Sequence, residues 1–455
     1  MRRLLTVCLA ALLLSSCGGV PTAGVKPGAT AVPDLPPMRR FPATAAPPPQ
    51  RSNAEMARDF MDLSFSLESG RALPVLTRFE EPIHVRMTGV APPTAAEDLG
   101  RLLARLRNEA GIDISSAPDG PAQITVEFLP RKVMQRLVPR AACFVAPRVG
   151  SWEAYRRAPR ADLDWATLTH RDVAAIFIPN DTAPQEVRDC LHEELAQALG
   201  PLNDLYRLPD SVFNDDNIHT VLTGFDMLML RVTYAPELRS GMTAPEVAAR
   251  LPALLARLNP AGERGRAPLP DPTPRAYSEA IETALGPGTF APRRRVAARE
   301  ALDIAEARGW RDTRTGFAWL ALGRLSLGHD AETAQIAFRE AAAIYESRPE
   351  LALQAAHADM QLAAFALSNG EAEEVILRAN RSLPLAAAAE NAALLSSLLM
   401  VKAEALDLVG RASEARQVRL DSLGWARYGF ASDAEVRLRL MNIAALSPAT
   451  RMRQK

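Results

Sequence analysis

The sequence predicts an α+β domain, with a mixed sheet and long helices, followed by an all-α helical-repeat domain. Three observations carry this. Between residues 53 and 264, short stretches alternating apolar with polar residues are interleaved with stretches of helical spacing. A Pro- and Gly-rich passage, NPAGERGRAPLPDPTP at 259–274, then breaks the pattern, and the chain beyond it is rich in Ala and Leu with no strand-like alternation. In that second half Gly328, Gly370 and Gly410 follow one another at 42 and 40 residues, the period of a helical hairpin. A chain of 455 residues that is 48% hydrophobic and 23% charged has material for two cores of this kind. The formal charge is zero, and 49 scattered arginines with four lysines form no basic patch, so no nucleic-acid partner is expected.

At the N-terminus, MRRLLTVCLAALLLSSC sets two arginines before an apolar run from Leu4 to Leu14. That run is too short for a permanent membrane helix, which takes about 20 residues, and reads as a secretory signal over 1–16. Its ending, LSSC, resembles the lipobox of bacterial lipoproteins. The resemblance implies that Cys17 is lipidated and becomes the first mature residue, with a lipid anchor as the only membrane attachment. Gly18, in place of an Asp, implies the outer membrane of a Gram-negative cell, facing the periplasm. The alternative is an ordinary signal peptide with a chance Cys. Residues 17–52 follow as a Pro/Ala-rich tether, too poor in apolar surface to fold alone. With Cys8 removed and Cys17 lipidated, Cys143 and Cys190 remain. An even pair in an exported chain reads as a disulfide, the alternative being two buried thiols.

The first domain, 53–264, begins with a short helix at NAEMARDFMDLSF. PIHVRMTG alternates as a strand, and Leu99, Leu102, Leu103 and Leu106 place a helix that ends on Gly111. AQITVEFL and AACFVAPR are further strands, and DVAAIFIP is a more continuously apolar one. A helix then opens at NDTAPQEV, with Thr182 as N-cap, Pro184 in the first turn and Gln185 three residues on. Gly200 suits a left-handed terminating residue and Pro201 forbids continuation.

Inside that helix lies HEELAQALGPLND, 192–204. A zinc-peptidase helix carries His-Glu-x-x-His so that two imidazoles one turn apart face the metal and the Glu activates bound water. In the obvious frame His192-Glu193 is followed by Ala196, which ligates nothing. Shifted by one residue, Glu193, Glu194, Gln197, Gly200 and Asn203 take the metzincin spacing of His, Glu, His, Gly and His. Val187, Leu191, Leu195 and Ala198 form the buried stripe opposite. Downstream, Phe213 stands where metzincins have their Met-turn, and Leu222-Thr223-Gly224-Phe225-Asp226 resembles the connector to the last helix, which ends near Tyr234. Residues 74–238 thus resemble a metzincin whose three imidazoles are gone. The chain is more closely similar to the bacterial domain-of-unknown-function 2927 family, on Cys190, Glu193-Glu194, Gln197, Leu199-Gly200, Asn203-Asp204 and Ser211-Val212-Phe213-Asn214-Asp215, departing from it at Pro201. That resemblance implies a domain type and supplies no activity.

Oxygen donors at Glu193, Gln197, Asn203 and Asp204 suit a weakly bound divalent cation better than catalytic zinc, and no cofactor is expected. Alternatively this cluster is structural and hydrogen-bonds the turn at 211–216. His219 is the only histidine near the presumed cleft and reads as an exposed loop residue.

Residues 265–295 are expected as linker and connecting helix, and 296–455 as helical repeats. The segment around Gly328, with Leu322-Gly323, Ala334, Phe338 and Ala341, resembles a tetratricopeptide repeat. The resulting expectation is a non-catalytic envelope scaffold or adaptor that binds proteins or peptides through its repeats. The alternative is a divergent hydrolase with Glu194 as general base.

Overall fold

The computed structural model describes residues 35–42, 44–264 and 271–453; the signal segment, Cys17 and the first part of the tether lie outside these. The chain divides into two compact units, Pro42–Thr273 and Pro274–Lys455, the latter joined by the segment that ends at Phe41.

In the first unit, α1 (Asn53–Ser64) starts on a capping box, Ser52 accepting from the Glu55 N–H while the Glu55 carboxylate accepts from the Ser52 N–H. There follow β1 (Ile83–Gly89), α2 (Ala95–Ala110), β2 (Ile114–Ser116), β3 (Ile124–Leu129), α3 (Arg131–Met134), β4 (Phe144–Pro147), α4 (Trp152–Arg157) and β5 (Ala174–Pro179). The long helix α5 (Pro184–Leu199) leads through an extended loop to α6 (Gly224–Thr233) and α7 (Ala244–Leu258). The five strands form one mixed sheet in the order β2-β1-β3-β5-β4, parallel except for the antiparallel edge strand β4. This is the α+β mixed sheet that the sequence predicts. Four elements escaped its patterns: β2, α3 and α4, where three to six residues are too few to show a period, and the fifteen-residue α7, which the reading passed over. The four α2 leucines are buried, and Gly111 ends that helix with φ 70°.

The second unit is helical throughout its described residues. Its helices are α8 (Arg275–Leu285), α9 (Ala291–Ala307), α10 (Thr313–Ser326), α11 (Ala331–Glu346), α12 (Ala352–Asn369), α13 (Ala372–Ala388), α14 (Ala392–Leu408), α15 (Ala412–Gly429), α16 (Asp433–Ala444) and α17 (Pro448–Arg453). Gly328, Gly370 and Gly410 sit at the hairpin turns of α10–α11, α12–α13 and α14–α15 with φ 86°, 80° and 77°. Glycine also sets the helix spacing: a Cβ on Gly323 would come within 2.6 Å of the buried Phe338 ring. That close approach is why the Leu322-Gly323 and Phe338 positions belong together. No helix among the described residues is long and apolar enough to cross a membrane.

Residues 35–52 carry no regular element, yet several are engaged. The Ala46 N–H donates to Glu109, and Arg51 pairs with Asp59 and Asp210 within the first unit. Residues 36–41 lie along α15 in the second.

Candidate functional site

The site is built on α5 and the loop after it. Pro184 opens the helix, but the N-cap is Ala183, one residue later than expected, and makes no side-chain cap. The Thr182 hydroxyl instead donates to Glu186, which also binds Arg131. At the other end Gly200 has φ −170°, an extended conformation and not the left-handed one expected. Its lack of a side chain matters for packing, since a Cβ there would sit 3.1 Å from Thr233.

A residue that the sequence reading passed over finishes this helix end. Arg171, 5% exposed, donates to the carbonyls of Gln197 (2.6 Å), Ala198 (2.7 Å) and Gly200 (2.5 Å) and, through Nε, to the Thr77 hydroxyl. Its guanidinium lies 4.9 Å from the Trp165 ring centre. A cation on the last carbonyls meets the negative end of the helix dipole and satisfies acceptors that a helix leaves unpaired. Burial pulls the Arg171 pKa down to about 10, which leaves it charged at neutral pH. No spacing rule links an Arg thirteen residues before a helix to that helix's far end.

The metzincin-spaced side chains are not gathered on one open face. The apolar stripe of Val187, Leu191, Leu195 and Ala198 is buried as expected, but so are His192, Glu194 and Gln197. His192 Nδ1 accepts the Leu222 N–H at 3.0 Å, fixing the connector before α6. Burial, with Arg105 and Arg188 adding, holds its pKa well below the usual imidazole range, so the ring is neutral. Asn203 donates to the Asp62 carbonyl in α1 at 2.9 Å.

Glu194 turns toward the sheet. The Arg148 N–H bonds the Val173 carbonyl, so alternation along β4 directs the Val145 N–H to the strand's open side. There it donates to the Glu194 carboxyl. The same edge is tied to α5 by a disulfide, Cys143–Cys190, with Cα atoms 6.0 Å apart. Pro147, two residues on, also faces outward and therefore costs the ladder no bond. Burial first, then Glu193 and Glu68, pushes Glu194 well above the carboxylate range.

Glu193 lines a cleft of about 30 Å³, room for a single water, with Asp189, Asn214, Asp215 and His219. Burial, followed by Asp215, Glu68 and Asp189, pushes its carboxyl up to about 8. Asp204, raised by burial and then by Glu68, shares a hydrogen bond with Glu68. His219 is half-buried rather than exposed, and its Nε2–H donates to the Pro209 carbonyl at 3.0 Å. The corner therefore crowds together acids whose carboxyls burial pushes upward. Among the described residues no three His, Cys, Asp or Glu side chains are arranged to hold a metal ion.

The turn at 211–216 is held by a residue on α6. Asp226 accepts from the Ser211 hydroxyl (2.5 Å), the Val212 N–H (3.2 Å) and the Thr223 N–H (2.8 Å). It is at once the third residue of the α6 capping box and the anchor of the turn. Burial lifts it to about 6, against the pull of the Ser211 and backbone bonds. Phe213, at the Met-turn position, is fully buried beneath the site. The Leu205 N–H to Phe213 carbonyl bond and the Tyr206–Asp215 bond add to this hold on the turn.

Residues 53–253 match the model of a family described as "Protein of unknown function (DUF2927)". No curated protein and no solved structure matches the chain.

Proposed function

From the premise that residues 53–253 are a domain of this family, we propose that the protein is a non-catalytic envelope adaptor. Its first unit keeps the frame of a metallopeptidase without the chemistry, and its helical hairpins bind proteins or peptides. One observation carries the reading. Glu194, at the general-base position, is buried and turned to the sheet edge, where it accepts the Val145 N–H, and burial pushes its carboxyl well above the usual carboxylate range. A general base must lie within hydrogen-bond reach of the proton it takes, and this carboxyl is spent on the backbone of the sheet.

The other positions support the same reading. A zincin site needs neutral imidazoles as ligands, and here His192 is spent on the Leu222 N–H and His219 on the Pro209 carbonyl. Asn203 is likewise spent on Asp62. The residues present do not fit a catalytic zinc, and no step is derived through one. In the cell the reading places Cys17 as the lipid anchor, with the protein on the periplasmic face of the outer membrane.

The test is elemental analysis of the protein purified without its first seventeen residues, paired with thermal unfolding with and without chelator. The adaptor reading expects no stoichiometric metal and an unchanged Tm. One tightly held metal per chain, with a Tm that drops several degrees in chelator, would overturn it.

A further inference from the structure

The strongest unexplained feature lies in the second unit, where a piece of unstructured chain is read in detail by one helix. Residues 36–41, Pro-Pro-Met-Arg-Arg-Phe, run extended along α15. The Arg39 N–H donates to the Gly424 carbonyl at 2.9 Å, and Arg427 donates to the Pro36 carbonyl at 3.0 Å. The Arg39 guanidinium pairs with Asp421 at 2.6 Å and lies 5.8 Å from the Trp425 ring centre. Phe41, 6% exposed, stacks on Trp425 with ring centres 4.4 Å apart and planes 26° apart.

The receiving side chains are placed for this by helical geometry. Asp421, Gly424 and Trp425 stand at i, i+3 and i+4, one face of α15. Gly424 lets the peptide come close: a Cβ there would meet Arg39 Cγ at 3.0 Å and the Pro37 carbonyl at 3.3 Å. The face thus offers a floor, a counter-charge, an aromatic shelf and two backbone bonds. Extended Pro-rich peptides are recognised by this combination because their conformation is already set before binding.

We propose that this face of α15 is a peptide-recognition site for an extended Pro-x-x-Arg-x-aromatic segment of a partner protein, which residues 36–41 fill in cis as an intramolecular competitor. Arg39 keeps 54% of its side chain exposed, so its charge is held at the surface. Joined to the same chain, the segment competes at an effective concentration on the order of millimolar. A partner peptide displaces it when its concentration over its Kd exceeds the same ratio for the tethered segment. The inference rests on the adaptor reading for its biological sense and names the chemistry of the partner.

The experiment uses the full chain without its first seventeen residues and a fluorescein-labelled peptide of residues 34–42, followed by polarisation. The double variant Arg39→Ala/Phe41→Ala vacates the face, and it is expected to bind the peptide at least ten-fold more tightly than the parent. Adding Asp421→Lys should lose that gain, and a peptide with Glu in place of Arg39 should restore it. Should the double variant lose its helical circular dichroism, Arg39→Ala removes only a half-exposed side chain and carries the same comparison. Equal binding to parent and vacated protein, no binding to either, or binding indifferent to the charge at 421 overturns the proposal. Each of those results leaves the metal measurement untouched, so this site and the adaptor reading fall separately.

Discussion

His192 shows how far a single residue can mislead when read as a motif. Its position before Glu193 suggests zinc chemistry, while its ring accepts the Leu222 N–H inside the core. His192→Ala is expected to lower stability by about 1–3 kcal/mol, the cost of a buried unpaired donor, read from the urea midpoint. Metal content should not change. The shifted frame of Glu193, Glu194, Gln197 and Asn203 was legible from spacing alone, and so was the absence of imidazole. Their tertiary partners were not legible, because Val145, Asp62 and Glu68 lie far away in sequence. The acids also give a signed pH effect. Glu193 at about 8 holds a proton that the unfolded chain has released above the ordinary carboxylate range, and Asp226 at about 6 does likewise. The native state then binds more protons than the unfolded one, so this contribution is full below about pH 4.5 and is lost as pH rises through 8. The depressed His192 acts oppositely, costing stability as pH falls below about 6.5. Between pH 6.5 and 8 the carboxyls are left alone: Tm is expected to fall across that window, and Glu193→Gln to flatten the fall. A Tm that rises over the same window would contradict the assignment of protonated acids.

At the scale of elements, α5 and the turn after it are held by three devices of different visibility. The Cys143–Cys190 bond to the β4 edge was readable as an even cysteine pair, though the sequence left two thiols open as an alternative. The Asp226 capping box could be read only in part. Thr223 and Asp226 have the right spacing for a helix start, but their grip on Ser211 and Val212 needs the fold. Arg171 was invisible. Replacing it with Ala strips three carbonyls of their donor, and the expected loss is on the order of 3 kcal/mol. Lys in its place should recover only part, because a single ammonium cannot repeat the fork that reaches Gln197, Ala198 and Gly200. Equal stability of Arg171→Ala and the parent in urea would remove this cap from the account. Cys143→Ala/Cys190→Ala should cost about 2–4 kcal/mol, by releasing a loop of 46 intervening residues in the unfolded chain.

For the whole molecule, a region that matches a family model, residues 53–253, and a stack of helical hairpins share one chain. The division was legible from the change in periodicity near residue 260, because burial in a sheet and burial in stacked helices impose different repeats on the sequence. The engagement of residues 36–41 with α15 was not, since a Pro-rich stretch without periodicity gives no sign of what it packs against. The central claim is that the first unit retains the frame of a peptidase and has lost the reaction. It is tested most directly by incubating the purified protein and its Glu194→Gln variant with a mixed-sequence peptide library, with zinc or manganese supplied, and following new N-termini by mass spectrometry. The account predicts that neither protein cleaves above the buffer control. Cleavage by the parent that disappears in Glu194→Gln would contradict it.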